Sequence, residues 1–379
     1  MQAAYRVTAI DGFADSQTLA MASATELAPF DQDGFQEEAM LAIVAKLDAS
    51  QYLGFIYGSG FEARPALLAK IAERIPMLGN LPGTVALIKA PAHFFSVCAR
   101  LDIAHPKTWA YANAILPSQA IVNQALAKPT LLKSVGGSGG GHIKRYQHNE
   151  TLISEKTYVQ QALHGLPVSI LFLANGQDVA LVGFNELLLA PSKAMPYRYG
   201  GAVSQLSLPM AVQHQLLVAA QKLTAEFALL GLNSLDAVLQ DDGVAYVLEV
   251  NPRLSASVAL YDTAGGELNL LAMHLATCQH GQLKPLVPSV SVMPASRAQA
   301  VVYSWLELTI PIDFAWPEWV QDYPSTEYAH LIAREQPVCT VEAKAECADV
   351  AKQLLTIRVK MLNQLLANYL KEDEDARTD

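Results

Sequence analysis

Residues 235–255 read LDAVLQDDGVAYVLEVNPRLS. The runs Leu235–Gln240 and Val244–Val250 are apolar and rich in strand formers, and Asp242-Gly243 stands between them. Asp-Gly between two such runs is a strong short-range hairpin signal, because a two-residue type I′ turn needs positive φ at both positions. Counting outward from that turn pairs Asp236 with Glu249. Side chains alternate along a strand. One face therefore carries Asp236, Val238, Val247, Glu249 and Asn251, with Gln240 nearer the turn. The other carries Leu235, Ala237, Leu239, Tyr246, Leu248 and Val250 and reads as core. Like charges directly opposed across a ribbon cost stability. Three states relieve that cost: a solvated open face, a carboxylate pair sharing one proton, or a cation gripped between the oxygens. Carboxylates with an amide suit a hard ion, and Mg2+ commonly takes one or two carboxylates plus substrate phosphates.

A second pattern lies upstream, in VGGSGGGHIKRY at 135–146. Gly136, Gly137, Ser138, Gly139, Gly140 and Gly141 form a run that no ordinary core tolerates, since each glycine costs backbone entropy on folding. Lys133 precedes it, and His142, Lys144 and Arg145 follow. Successive backbone N–H groups in such a loop form an anion-binding concavity. No Gly-Lys-Ser/Thr follows, so this is not a Walker A loop. A mobile flap over polyphosphate fits better than a bare hairpin tip. Gly58-Ser59-Gly60-Phe61-Glu62-Ala63 formally fits GxGxxA, but no acidic residue stands about 20 positions later, as a dinucleotide site needs. It reads as a tight turn whose N–H groups can face a small anion.

The chain has 379 residues, half of them hydrophobic, which is enough for two to four units and a sizeable core. No run of 18 or more apolar residues predicts a membrane span, and the first residues lack a secretory pattern. Cys98, Cys278, Cys339 and Cys347 show no CxxC spacing, which points to reduced thiols in a cytoplasm. The net charge is −10, of which the tail KEDEDARTD supplies −3, two basic residues against five acidic. No basic stripe predicts nucleic-acid binding.

Along the N-terminal part, strand signals (Tyr5–Ile10, the apolar run LGFIYG, Thr84–Lys89) alternate with helical ones (Asp15–Ala24, Glu37–Leu47, and a helix from near Ala63). Such alternation predicts a parallel α/β unit with ligands at its strand ends. Short strands follow at Thr130–Ser134, Tyr158–Ala162, Val168–Ala174 and Val179–Phe184, the last three reading as antiparallel and hairpin-linked. A helix over Met210–Leu230 places Val212, Leu216, Ala220, Leu223 and Phe227 on one face. Beyond the hairpin come a helix at 264–278, a proline-bearing linker at 283–295, strands Gln299–Leu306 and Val338–Ala343, and a helix Ala348–Leu370. His214 and His274 read as structural, and Trp305, Trp316 and Trp319 as packing residues.

Taken together in this order, a basic strand, a glycine flap and a later Asp…Glu-x-Asn ribbon resemble the ATP-grasp superfamily, from about Lys89 to Arg253. The resemblance implies an α/β (α+β) fold: an N-terminal Rossmann-like parallel α/β domain (1–105), a lid with the flap (106–165), a metal-binding subdomain (166–285), an α+β segment (286–370) and a disordered acidic tail (371–379). It implies that Lys133 contacts the nucleotide, that residues 136–141 cover its β- and γ-phosphates, and that YVQQALHG is the hinge over adenine, with Gln160, Gln161, Ala162, Leu163 and His164 beside the base and ribose. The family often has glutamates where this chain has Gln161 and His164. Asp236, Glu249 and Asn251 match the metal-ligand triplet. Arg253 matches the arginine that meets the transferred phosphate or acyl intermediate. Lys89 matches an earlier nucleotide-contacting lysine, without the usual flanking aspartate. LDIAHPKT is similar to the entry to the lid, and PVCTVEA plus a helix to carboxylase-like members. The cofactors implied are ATP and one or two Mg2+ ions, replaceable by Mn2+.

The activity implied is ATP-dependent ligation of a small-molecule carboxylate to an amine through an acyl phosphate. A kinase-like phosphotransferase and a non-catalytic ATP-binding protein remain as alternatives. GSGFE, YRYGGA and NPRLS resemble small carboxylate–amine ligases such as the tyramine–glutamate ligase of methanofuran synthesis and relatives linked to one-carbon cofactors. The resemblance also allows a homodimer.

Overall fold

Val212, Leu216, Ala220, Leu223 and Phe227 are all buried, as their helical spacing predicts, on the helix Met210–Phe227. They meet Val168, Ile170, Phe172 and Ala174 of one strand and Leu235, Ala237 and Val250 of the ribbon, and this is the largest core of the molecule. The computed structural model describes residues 5–31, 34–110, 129–146, 154–261, 269–283, 295–325 and 330–376. The linker read at 283–295 and the start of the helix read at 264–278 fall largely outside these.

The sheet under that helix has eight strands in the spatial order Ala245–Asn251, Leu230–Leu239, Leu166–Asn175, Val179–Leu189, Tyr199–Ser204, Ser296–Tyr303, Pro337–Ala345 and Val320–Gln321. Every neighbouring pair is antiparallel. Its opposite face buries Leu171, Leu173 and Leu232 against the region of the helix Leu270–His280. The helix Ala348–Ala376 packs on the far strands and forms a core of its own with them. It runs into the acidic stretch that reads as a disordered tail, because Leu370, Lys371 and Glu372 continue a run of good helix formers. Trp316 and Trp319 pack there, whereas Trp305 is 40% exposed and does not. No helix among the described residues is long and apolar enough to cross a membrane.

A separate four-stranded sheet takes Thr108–Trp109, Thr157–Gln161, Thr130–Ser134 and Lys144–Arg145. The glycine run joins its last two members. The strand Thr157–Gln161 thus belongs to this lid and is not hairpin-linked to Leu166–Asn175. The chain changes sheets at Gly165, whose positive φ and backbone contact with Leu239 carry it across.

The N-terminal α/β unit is reduced. Thr8–Asp11 pairs in parallel with Ala24–Leu27, and LGFIYG contributes only a single parallel bridge, Phe55 to Met77. Residues Pro82–Ile88 are a helix, where a strand over Thr84–Lys89 was expected. Pro82 at its first turn presets φ, and Val85 and Ile88, three apart, bury one helical side.

The ribbon's turn also differs from expectation. Gln240 N–H donates to Val244 O (3.0 Å) and Gly243 N–H to Gln240 O (3.0 Å), closing a three-residue loop, Asp241-Asp242-Gly243. Gly243 takes φ +79°, the left-handed residue of that loop type. The loop shifts the register by one, pairing Ala237 with Val247, and a bulge between there and Asp236 restores Asp236 opposite Glu249. Ala245 and Val247 consequently face the core, in place of Tyr246 and Leu248. Nothing lies within 4 Å of a side chain built at Gly243. Gly243→Ala should therefore act through backbone strain alone, costing roughly 1–2 kcal/mol in urea unfolding, with ligand affinity unchanged.

Candidate functional site

The ribbon delivers Asp236, Glu249, Asn251 and Arg253 to one place because residues two apart share a face. Asn251 Nδ2 donates to Asp236 Oδ2 at 2.9 Å. From the other side of the cleft, Lys89 at the end of Pro82–Ile88 sends Nζ to Glu249 Oε2 (2.7 Å) and Asn251 Oδ1 (3.3 Å). Lys89 is buried, while the Glu249 side chain stays 41% exposed and open to a ligand.

The two carboxylates face each other across the ribbon. Burial and then the Glu249 charge push Asp236 up to about 6, against a hydrogen bond from Ser169 and the attraction of Lys89 and Arg253. Desolvation also works to raise Glu249, but Lys89 overcomes it and holds that carboxyl below its ordinary value. One ammonium thus ionises one member of the pair and leaves the other reluctant. A further cation facing Asp236, Glu249 and Asn251 Oδ1 would relieve the pair, and this all-oxygen donor set fits Mg2+. Among the described residues no group of three His, Cys, Asp or Glu converges on a metal position, so the amide of Asn251 is needed to complete a triplet.

Lys133, at the end of the lid strand, is buried and donates to Gln160 Oε1 at 2.9 Å. Gln160 Nε2 in turn donates to Thr108 Oγ1 (3.0 Å). Gln160 therefore holds Lys133 through its amide oxygen and is itself anchored to Thr108 through its amide nitrogen. Burial lowers the Lys133 pKa, opposed by the charges of Glu249 and Asp236. His142, beyond the flap, is also lowered by burial, within the field of Glu249, Lys133 and Lys89, and its Nδ1 is enclosed without a hydrogen-bond partner.

The hinge N–H groups of Gln161 and Ala162 donate to Lys107 O and Pro129 O, both at 2.8 Å. His164 is exposed, and its carbonyl accepts from Gln240 Nε2 (3.2 Å), tying the hinge to the ribbon. Leu163 is half-buried between them. The flap lies down on the body: Gly136 touches the Glu62-Ala63 peptide, and Gly139 O accepts from Tyr199 N–H (2.8 Å).

Sequence reasoning missed Glu62. Its Oε1 accepts from Arg253 Nε, and its Oε2 takes the N–H groups of Gly60 (2.9 Å) and Phe61 (3.2 Å). The turn that could face a small anion holds its own carboxylate. Burial opposes ionisation there, but Arg253 and then Lys89 hold Glu62 down at about 2. Tyr57 and Asn80 were missed as well. Both donate to Pro252 O, at 3.0 and 2.9 Å, and fix the peptide that joins Pro252 to Arg253. His274 is structural, as expected: Nδ1 accepts from Leu232 N–H (2.9 Å) and Nε2 faces Leu78 O (3.0 Å).

Comparison with known proteins now bears on this geometry. Residues 109–257 match the ATP-grasp domain family. These residues are an ATP-grasp domain. The chain is also 28% identical, over 248 residues, to the carbamoyl phosphate synthase large chain of Thermoplasma volcanium, a match that covers 58% of this chain and 22% of that protein. The chain thus spans about a fifth of the length of that curated relative. Among solved structures, a biotin carboxylase from Campylobacter jejuni, in its beta-gamma-ATP complex, superposes with a TM-score of 0.67 at 13% identity, over 91% of this chain and 83% of that one. An L-amino acid ligase from Bacillus licheniformis superposes at 0.60 and 15% identity, over 94% and 91%. The ATP-grasp fold accounts for the two sheets meeting at the Lys133–Glu249 cleft.

The Glu62 shift predicts a pH dependence. Its pKa is depressed from 4.5 to about 2 in the folded chain, so its stabilisation is complete above about 4.5 and lost as pH falls toward 2. The loss amounts to up to about 3 kcal/mol. Urea unfolding between pH 6 and pH 3 should show about 2 kcal/mol of that decline in the native chain and a flatter profile in Glu62→Gln.

Proposed function

We propose that this chain is an ATP-dependent enzyme that joins a small-molecule carboxylate to an amine, releasing ADP and phosphate. The observation that carries the reading is the convergence of two opposed carboxylates, an amide oxygen and three cations, Lys89 and Lys133 buried and Arg253 nearly so, beneath a glycine flap. The ATP named in the biotin carboxylase complex and the ligase activity named for the amino acid ligase accord with it.

In this reading a carboxylate oxygen of the substrate attacks the γ-phosphorus of ATP. The bond from that phosphorus to the β-bridging oxygen breaks, giving ADP and an acyl phosphate. The amine nitrogen then attacks the acyl carbon, phosphate leaves with the C–O electron pair, and the nitrogen loses a proton. Such transfer needs alignment and charge neutralisation more than covalent help. Lys133 and Lys89 neutralise phosphate oxygens. Arg253, held by Glu62, faces the transferred group or the substrate carboxylate. Asp236, Glu249 and Asn251 would hold one or two Mg2+ ions, which supply charge stabilisation across the phosphates when bound. The flap keeps water from the acyl phosphate. The hinge, with His164 on its rim, faces the base and ribose. GSGFE, YRYGGA and NPRLS support a closer kinship with small carboxylate–amine ligases linked to one-carbon cofactors.

A phosphate-release screen with ATP, Mg2+, amino acids and small amines tests the activity, and an amide among the products separates ligase from phosphotransferase. Glu249→Gln should abolish Mg-dependent ADP formation in a protein that still melts cooperatively. Normal turnover in that variant defeats the metal assignment. Lys133→Ala should raise the ATP requirement at least about tenfold, the effect of losing a charge-assisted contact of about 1.4 kcal/mol or more. Unchanged nucleotide affinity removes that lysine from the site.

A further inference from the structure

Glu62 belongs to the N-terminal unit, 191 residues from its partner Arg253. It is 3% exposed, and the Arg253 side chain is only slightly more open. Removing one partner of a buried pair strands the other charge, so the two move as a unit. The guanidinium is fixed by this contact, by Leu254 O (Nη1, 3.1 Å) and at longer range by Asn251 Oδ1 (Nη2, 3.5 Å). Its direction toward the cleft is therefore set from the N-terminal side.

The same residue meets the flap through its backbone. A Cβ at Gly136 would lie 2.6 Å from Glu62 O and 2.5 Å from Ala63 Cα. Only glycine seats there, and its positive φ makes the turn into the flap. The Glu62 side chain is pinned through its Oε2 by the N–H groups of Gly60 and Phe61, so carboxylate and peptide form one rigid piece. Arginine and flap thus rest on two ends of a single residue.

We propose that Glu62 is a positioning residue that couples closure of the glycine flap to the setting of Arg253. It makes the cleft close only when the arginine faces the reacting group. This rests on the nucleotide reading above and adds how the N-terminal unit takes part in it. A purely structural Glu62 would stabilise the chain without linking the two segments.

Hydrogen–deuterium exchange with Mg2+ and the non-hydrolysable analogue AMP-PNP reads the coupling. In the native chain the analogue should slow exchange together in the turn 58–64 and the flap 134–143. In Glu62→Gln, protection of the flap should fall roughly tenfold, within the usual range for coupled sites. Coupling is reciprocal, so Gly136→Ala, which keeps the Glu62 carboxylate but presses a Cβ on the Glu62–Ala63 peptide, should abolish the analogue's protection of 58–64. This second variant decides the matter if Glu62→Gln does not fold. Native-like protection of both segments in a folded variant overturns the coupling and leaves the nucleotide reading standing. Failure of AMP-PNP to bind the native chain overturns that reading, and this proposal with it.

Discussion

Two carboxylates held opposite each other on one ribbon are the constraint around which the site is built. Asp236 and Glu249 are fixed by a ten-residue and a seven-residue strand that cannot slip without turning their core faces outward. The repulsion between them cannot be relieved by moving the backbone, so it is met by charges brought from elsewhere. Lys89 comes from the end of a helix before the lid, Lys133 from the lid strand, and Arg253 from two residues past the ribbon. Lys89 and Lys133 are buried and Arg253 nearly so, and each would be costly alone in that setting. The carboxylates make the cations tolerable and the cations make the carboxylates tolerable. What remains is a shortfall of positive charge at Asp236 and a surplus at Lys133, whose hydrogen-bond partner Gln160 is neutral, the pattern that a metal–polyphosphate ligand completes.

The ribbon was legible in the sequence, and the way it was legible is instructive. Counting from a two-residue turn puts Asp236 against Glu249, and the chain does so too, by a different route. A three-residue loop displaces the register by one and a bulge displaces it back. The carboxylate pairing survives both changes, while the side chains between them exchange faces, which is why Val247 is core and Leu248 is not. A bulge leaves no mark in composition, since it needs only one extra residue of ordinary type. Strong patterns such as the face of Met210–Phe227 and the glycine run needed no such luck. Their signals are local and redundant over many residues.

The N-terminal unit was the least legible, for the converse reason. Its strands are four residues or fewer, and one apolar run makes a single bridge. Short apolar segments do not distinguish strand from helix by periodicity, and Pro82 outweighed Val85 and Ile88 in deciding Pro82–Ile88. Its contributions to the site, Tyr57, Glu62 and Asn80, are single residues reaching partners more than 150 positions away. No spacing rule connects Glu62 with Arg253. Only the glycines around Glu62 gave a signal, and they pointed to an anion-holding turn without revealing that the anion is the chain's own.

That self-filled turn changes how the ATP-grasp domain should be viewed. Arg253, just past the ribbon, takes its orientation from Glu62, which lies outside both the lid and the ribbon. Asn80 adds to the same effect, since it bonds Asn233 Oδ1 (2.8 Å) on one ribbon strand and Pro252 O beyond the other. The N-terminal unit therefore acts as a rear wall against which the ribbon's last residues are clamped. In the proposed reading, a nucleotide entering from the lid side would meet groups already positioned by that wall. Preorganisation of this kind is where electrostatic stabilisation draws its strength, because the dipoles and charges need not reorganise as the phosphoryl group moves. The cost is a turn rich in glycine, which loses backbone entropy on folding, while the Glu62–Arg253 pair both stabilises the chain and imposes the geometry of Arg253.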